Sequence, residues 1–225
     1  MKIVVLSAGH SNTDPGAVYE GLKEADLNKQ IVRVASDILR GQGIGVLNPP
    51  DDLDLVGTIN WINRNGSNSN IAVEVHINAG GGTGVEGWYY NKSSVSKRLS
   101  DTILAGIVAS TGMANRGSKD ESTNKWGRLG FVHDTAPLAC LIECGFIDSK
   151  QDRELLNSMT GLYKIGFGLA QGIIKYLGLT YVAPTPEKDT TAEAVSTVRQ
   201  RLANVQSECQ RLKDSLDELL TILKL

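Results

Sequence analysis

Hydrophobic and polar positions along this chain follow two periods in turn, and a third pattern takes over near its end. Ile3 to Leu6 is a short apolar run fit for a strand buried on both faces. From Leu22 to Arg40, residues Leu27, Ile31, Val34, Ala35, Ile38 and Leu39 fall on one helical stripe, which Gly41-Gln42-Gly43 closes. Ile44 to Leu47 predicts a second strand ended by Asn48-Pro49-Pro50, and Leu55 to Asn65 a helix with Ile59 and Ile62 inward. Ile71 to Ile77, rich in β-branched residues, predicts a central strand that runs into the loop Asn78-Ala79-Gly80-Gly81-Gly82. Val85 to Tyr90 follows as a strand and Ser94 to Thr111 as an amphipathic helix. Met113 to Gly127 has few apolar residues and predicts a long surface loop, a candidate substrate contact. Leu129 to Val132 and Leu138 to Cys144 predict the last strands; Asp148 to Asn157 and Leu162 to Tyr176 predict two closing helices. Strand and helix alternate, so the expected class is α/β: a mostly parallel twisted sheet covered by helices.

That alternation fills residues 1–181. Residues 182–190, with Pro184 and Pro186 in a short polar stretch, predict a semi-extended linker. In residues 191–225, Val195, Val198, Leu202, Val205, Cys209, Leu212, Leu216, Leu219 and Leu223 recur at alternating spacings of three and four. This a/d register runs for about four heptads and predicts a C-terminal coiled-coil helix that self-associates. Leu at several a positions, Val at two d positions and the extra apolar Leu220 and Ile222 leave dimer, trimer and tetramer open.

Composition narrows the partners. Lys+Arg 23 against Asp+Glu 25 gives a formal charge of −2, so no broad basic face asks for nucleic acid. No apolar run approaches the roughly 20 residues of a membrane span. Met1-Lys2-Ile3-Val4-Val5-Leu6 reads as a strand rather than a signal peptide, and the expected site of synthesis is the cytosol. Cys140, Cys144 and Cys209 form no CxxC pair; the first two, four apart in a strand, are roughly 13 Å from each other and unable to bridge.

Chemistry concentrates where strands end. His10 is delivered at the C-terminal end of the first strand, the edge where ligands collect in parallel sheets. His76 ends the strand Ile71-Ala72-Val73-Glu74-Val75-His76-Ile77-Asn78, with Glu74, His76 and Asn78 on one face. Imidazoles are ligands that Zn²⁺ prefers, and a third ligand is expected from a carboxylate at the top of the first helix, where Glu24 competes with Glu20 and Asp26. Glu143 closes the apolar run Leu138-Ala139-Cys140-Leu141-Ile142, where an acid is costly unless paired or working. It is the leading candidate for a general base.

Several motifs appear in order: Ala8-Gly9-His10 with Asp14-Pro15-Gly16, Gly21-Leu22-Lys23-Glu24, Val75-His76-Ile77-Asn78-Ala79, Gly84-Val85-Glu86-Gly87, Asn115-Arg116-Gly117, and Leu141-Ile142-Glu143-Cys144-Gly145-Phe146-Ile147. Over about residues 1–180 this set resembles the catalytic domain of zinc-dependent N-acetylmuramoyl-L-alanine amidases, the type-3 amidase family that cuts peptidoglycan. The resemblance implies that His10, Glu24 and His76 hold zinc and that Glu143 is the catalytic acid/base. Arg116 is then expected to meet a substrate carboxylate or the oxyanion, and Asn78 to orient the His76 loop or touch substrate. His133 matches no ligand position and is expected at the rim. The chain departs from the family at Glu74, where many relatives carry Ser; this acid either supports a ligand or intrudes on the site. The tail lies outside the family pattern.

These features together predict a peptidoglycan-lytic amidase clustered by its tail, such as a phage or prophage endolysin that reaches the wall after release. Two other readings compete with it. One is a cysteine peptidase using Cys140 or Cys144 with His133, and the other a non-catalytic, oligomeric wall-binding protein.

Overall fold

The computed structural model describes residues 1–183 together with Ser207, Gln210, Arg211 and Lys213. The chain divides into two compact units, Met1–Val182 and Ala183–Leu225. In the second unit Ser207, Gln210, Arg211 and Lys213 are helical and exposed; residues 184–190 of the expected linker and the rest of the expected coiled coil lie outside the described residues.

The first unit is built on one six-stranded sheet. Its elements in chain order are β1 (Ile3–Ala8), β2 (Val18–Tyr19), β3 (Leu22–Lys23), α1 (Glu24–Gly41), β4 (Gly45–Leu47), α2 (Leu55–Asn65), β5 (Ile71–Asn78), β6 (Val85–Tyr89) and α3 (Ser94–Thr111). They continue with β7 (Asn115–Asp120), a 3₁₀ turn (Glu121–Thr123), α4 (Gly130–Asp134), β8 (Ala139–Phe146), α5 (Lys150–Leu156) and α6 (Met159–Tyr176). Strand order is β4-β1-β5-β8-β6-β7, and every pairing is parallel except β6 with β8. The mostly parallel, helix-covered sheet expected from the alternation is therefore the one observed.

Strand alternation sorts the two faces. Val4, Leu6, Val73, Val75, Ile77, Cys140, Ile142 and Cys144 join the large core beneath α1, α3 and α6. A smaller core on the other face joins Val5, Ala72 and Ala139 to Ile62 of α2 and Phe131 of α4. Farther along that second face, toward the C-terminal ends of the central strands, stand Glu74, His76 and Glu143. The β5–β8 ladder pairs His76 with Glu143 and then slips to Asn78 with Phe146, an extra residue on β8. Bulges of this kind bend a strand and re-aim its side chains, often beside active sites.

Three local expectations need correction. Leu22 lies outside the first helix, which starts at Glu24; Val18–Tyr19 and Leu22–Lys23 instead form a small antiparallel ribbon. Its turn residues Glu20 (φ 46°) and Gly21 (φ 84°) both take the left-handed backbone that a tight hairpin requires, without the usual Asn-Gly signal. Within the segment expected to be a loop, Asn115–Asp120 is an edge strand parallel to β6. Its polar sequence carries no alternating apolar signal because pairing with β6, rather than burial, holds it. Leu129 to Val132, expected as a strand, overlaps helix α4, whose Phe131 fills the second core. Four apolar residues cannot distinguish a strand from a buried helical turn by periodicity.

Helices α3 and α6 approach closely along a small-residue seam. A Cβ on Gly172 would lie 2.5 Å from the Ile103 Cα and 2.9 Å from the Thr102 carbonyl oxygen, so no side chain fits without moving backbone. Gly172→Ala is expected to destabilise the fold by about 2 kcal/mol, seen as a lower urea midpoint with an unchanged slope.

Candidate metal centre

His10 follows β1 with a left-handed backbone (φ 66°), uncommon for a residue with a Cβ. His76 is the sixth residue of β5, and Glu24 is the first of α1. Hydrogen bonding between neighbouring β1 and β5 brings the two histidine-bearing ends together. One potential ligand atom from each of His10, Glu24 and His76 lies within 4.8 Å of the other two. Of the competing acids, Asp26 is exposed and Glu20 pairs with Arg153, so neither joins this cluster.

Glu24 is the hub. Its Oε1 is 2.9 Å from His76 Nδ1 and accepts from the Ile77 backbone N–H at 3.1 Å. Its Oε2 is 3.1 Å from His10 Nε2 and accepts from the Ala17 backbone N–H at 2.9 Å. Burial works to raise this carboxyl, but the hydrogen bonds from His10 and His76 prevail and hold it well below the usual carboxylate range. The same contacts push the imidazoles up. His10 is raised first by Glu24, against burial, with Asp14 adding at 2.9 Å from Nδ1. For His76 burial acts downward, and Glu24 and Glu74 carry the net shift well upward.

Each imidazole therefore turns one nitrogen toward Glu24 and the other toward a further carboxylate. Asp14 takes that place for His10, and Glu74 for His76, its Oε2 3.3 Å from Nε2. Glu74 is 5% exposed, and its position matches that of an acid orienting a ligand through its outer nitrogen. Two imidazoles and a carboxylate form a donor set suited to a borderline-soft divalent ion such as Zn²⁺. The acidic groups around them supply compensating charge.

Glu143 lies one strand away, level with His76 in the β5–β8 ladder. Its Oε2 is buried and has no hydrogen-bond partner among the described residues. Burial is the main reason its carboxyl is pushed up to about 7; the nearby His76 opposes this, while Glu24 and Glu86 add to it. A group poised there can exchange a proton near neutral pH.

Asn78 and Arg116 meet at another acid. Glu86 of β6 is cross-strand partner to Glu143 and only 2% exposed. Its Oε1 accepts from Asn78 Nδ2 at 3.1 Å, and its Oε2 from Arg116 Nε at 2.6 Å and Lys119 Nζ at 2.8 Å. Burial acts to raise the Glu86 carboxyl, but the two cations hold it below its ordinary value. Sequence reasoning gave Glu86 and Lys119 no role. Glu86 carried the same signal as Glu143, an acid beside apolar strand residues, whereas Lys119 sat in a segment with no periodic pattern.

His133 lies on α4, 2.9 Å from the buried Glu121 and in ring contact with Tyr90, and it is not among the metal-competent cluster. Cys140 and Cys144 are fully buried in the large core, on the face opposite Glu143, and burial pushes both thiols well above their ordinary range. Neither is available as a thiolate nucleophile.

A mostly parallel α/β sheet thus carries this cluster and the adjacent Glu143 at the C-terminal ends of its central strands. Residues 4–175 match the family described as N-acetylmuramoyl-L-alanine amidase. The chain belongs to that family, and so to the peptidoglycan hydrolases. It is 33% identical over 190 residues to an endolysin of Bacillus phage SPP1, covering 79% of this chain and 67% of the relative. Identity is 28% over 176 residues to a sporulation-specific N-acetylmuramoyl-L-alanine amidase of Bacillus subtilis (strain 168), covering 76% and 66%. This chain thus spans about two thirds of the length of these relatives. Among solved structures, the catalytic domain of CwlV, an N-acetylmuramoyl-L-alanine amidase from Bacillus (Paenibacillus) polymyxa var. colistinus, superposes with a TM-score of 0.70 at 25% identity, covering 80% of this chain and all (100%) of that one.

Close approach at Gly9 supports the cluster, since a Cβ there would sit 2.1 Å from His76 Nε2. Gly9→Ala is expected to push the His76 ring away from Glu24 and Glu74. Its titration midpoint should fall toward the ordinary imidazole value, as read by NMR pH titration of the metal-free protein.

Proposed function

We propose that this chain hydrolyses the amide joining the lactyl group of N-acetylmuramic acid to the L-alanine of the peptidoglycan stem peptide. In this reading His10, Glu24 and His76 hold a zinc ion, and Glu143 is the general base and then the general acid. Zinc held by these three side chains would supply a water of near-neutral pKa and Lewis-acid polarisation of the scissile carbonyl. The observation that carries the reading is the buried Glu143 Oε2, without a partner among the described residues, beside the three-residue donor cluster. Glu143 takes a proton from the attacking water and returns it to the departing amine, which leaves as a neutral group. Glu74 and Asp14 keep the ligand imidazoles in register by engaging their outer nitrogens.

Glu143→Gln is expected to retain zinc while kcat on a muramoyl-L-alanine substrate falls by at least about 100-fold. A strong chelator should abolish wild-type turnover, zinc should restore it, and iodoacetamide should leave it intact. Unchanged wall clearing by Glu143→Gln would sink the assignment of that residue. If neither protein clears cell walls but both sediment with peptidoglycan, the non-catalytic wall-binding reading takes its place.

The Bacillus phage endolysin relative supports a role in host-cell lysis, with synthesis in the host cytoplasm and action on the wall after release. Among the described residues no helix is long and apolar enough to cross a membrane. The heptad pattern of residues 191–225 supports self-association, and several linked catalytic units on one wall gain effective concentration. By analytical ultracentrifugation the full chain is expected to sediment as a dimer to tetramer. A chain ending at residue 183 should be a monomer that retains small-substrate turnover. A monomeric full chain would remove the oligomeric part of this reading.

A further inference from the structure

The order of chemical groups across the sheet gives the substrate a direction. His10 follows β1 and His76 lies on β5; next comes β8 with Glu143, then β6 with Glu86, then β7 with Arg116 and Lys119. Glu143 is flanked in the ladders by His76 on one side and Glu86 on the other. Resting on the amidase reading above, the scissile carbonyl belongs at the donor cluster and the leaving nitrogen at Glu143. The peptide beyond that nitrogen then continues toward β6 and β7.

What waits there is cationic. Arg116 and Lys119 share one carboxylate, so the trio of Glu86, Arg116 and Lys119 carries one net positive charge. Their side chains remain 37% and 35% exposed. Arg116 spends its Nε on Glu86, and its two terminal nitrogens make no other hydrogen bond among the described residues. Its guanidinium is stacked 4.8 Å from the Phe146 ring centroid, and the Lys119 ammonium stands 5.3 Å from that of Trp88. Both cations are thus pre-positioned, which reduces the ordering needed to bind an anion.

The opposite side repels such a group. A cavity of about 350 Å³ opens beside His10 and His76, with Phe131 on its wall and Asp14, Asp54 and Glu74 among its lining. Among the described residues no lysine or arginine lines it, so it suits a neutral sugar and its lactyl arm rather than a carboxylate.

We propose that the muramoyl sugar occupies this cavity and that the stem peptide crosses β6 and β7, where Arg116 and Lys119 bind a carboxylate carried by the residue after L-alanine. A guanidinium or ammonium paired with a carboxylate gives charge-assisted hydrogen bonds, strong enough to discriminate at least about tenfold against a neutral amide.

The test uses the zinc-loaded full chain and two substrates, N-acetylmuramoyl-L-Ala-D-Glu and the same compound with both glutamyl carboxylates amidated. The free acid should show at least about tenfold higher kcat/KM, mainly through KM, and Arg116→Gln and Lys119→Gln should each narrow that ratio several-fold. In a second readout, the Trp88 indole N–H resonance should shift on titration with the dipeptide L-Ala-D-Glu and not with N-acetylglucosamine. Equal turnover of the two substrates, or a ratio retained in both variants, would overturn the orientation while leaving the amidase reading in place. No turnover of either substrate by the wild type would overturn the amidase reading and the orientation together. Lys119→Gln decides the matter if Arg116→Gln fails to fold.

Discussion

Glu24 is the constraint on which the site depends. A buried carboxylate is costly unless every lone pair is used, and here two backbone N–H groups and two imidazoles converge on one side chain. Those partners come from the loop after β1, the approach to α1 and the end of β5, segments far apart in sequence. By satisfying Glu24, the fold joins them at one point and sets the spacing between His10 and His76. The donor cluster is therefore a product of desolvation as much as of ligand chemistry: moving any one of these groups leaves a buried charge without its partner.

Strand β8 supplies the second requirement. It lies between β5 and β6, so one residue, Glu143, faces His76 through a parallel ladder and Glu86 through an antiparallel one. The two neighbouring acids are handled in opposite ways. Glu86 is held ionised by Arg116 and Lys119, while Glu143 has an oxygen with no partner among the described residues and an elevated affinity for protons. Pairing decides which carboxylate is structural and which can exchange a proton. The antiparallel β6–β8 pairing, where β6 and β7 run against the other four strands, is what puts both acids side by side.

Much of this was legible in the residues. Period-2 and period-3.6 patterns marked the central strands and long helices, because those elements bury continuous apolar faces. His10, His76 and Glu143 stood out because each is polar at the end of an apolar run, where only pairing or chemistry offsets desolvation. Edge strand β7 and helix α4 were not legible. Asn115–Asp120 holds its place by a ladder with β6, and Phe131 by a small core shared with α2, and neither interaction leaves a local period.

Sequence alone determined the α/β alternation and the family resemblance, and it singled out His10, His76 and Glu143 as polar groups at the ends of apolar runs, since these follow from local burial patterns and side-chain chemistry. It left Glu24 in competition with Glu20 and Asp26, and it gave no role to Glu86 or Lys119. Only the tertiary structure decided those points, because strand order and ladder register fix which distant side chains share a face and which buried charges find partners. The chemistry of each residue is local, whereas its protonation and its neighbours belong to the folded sheet.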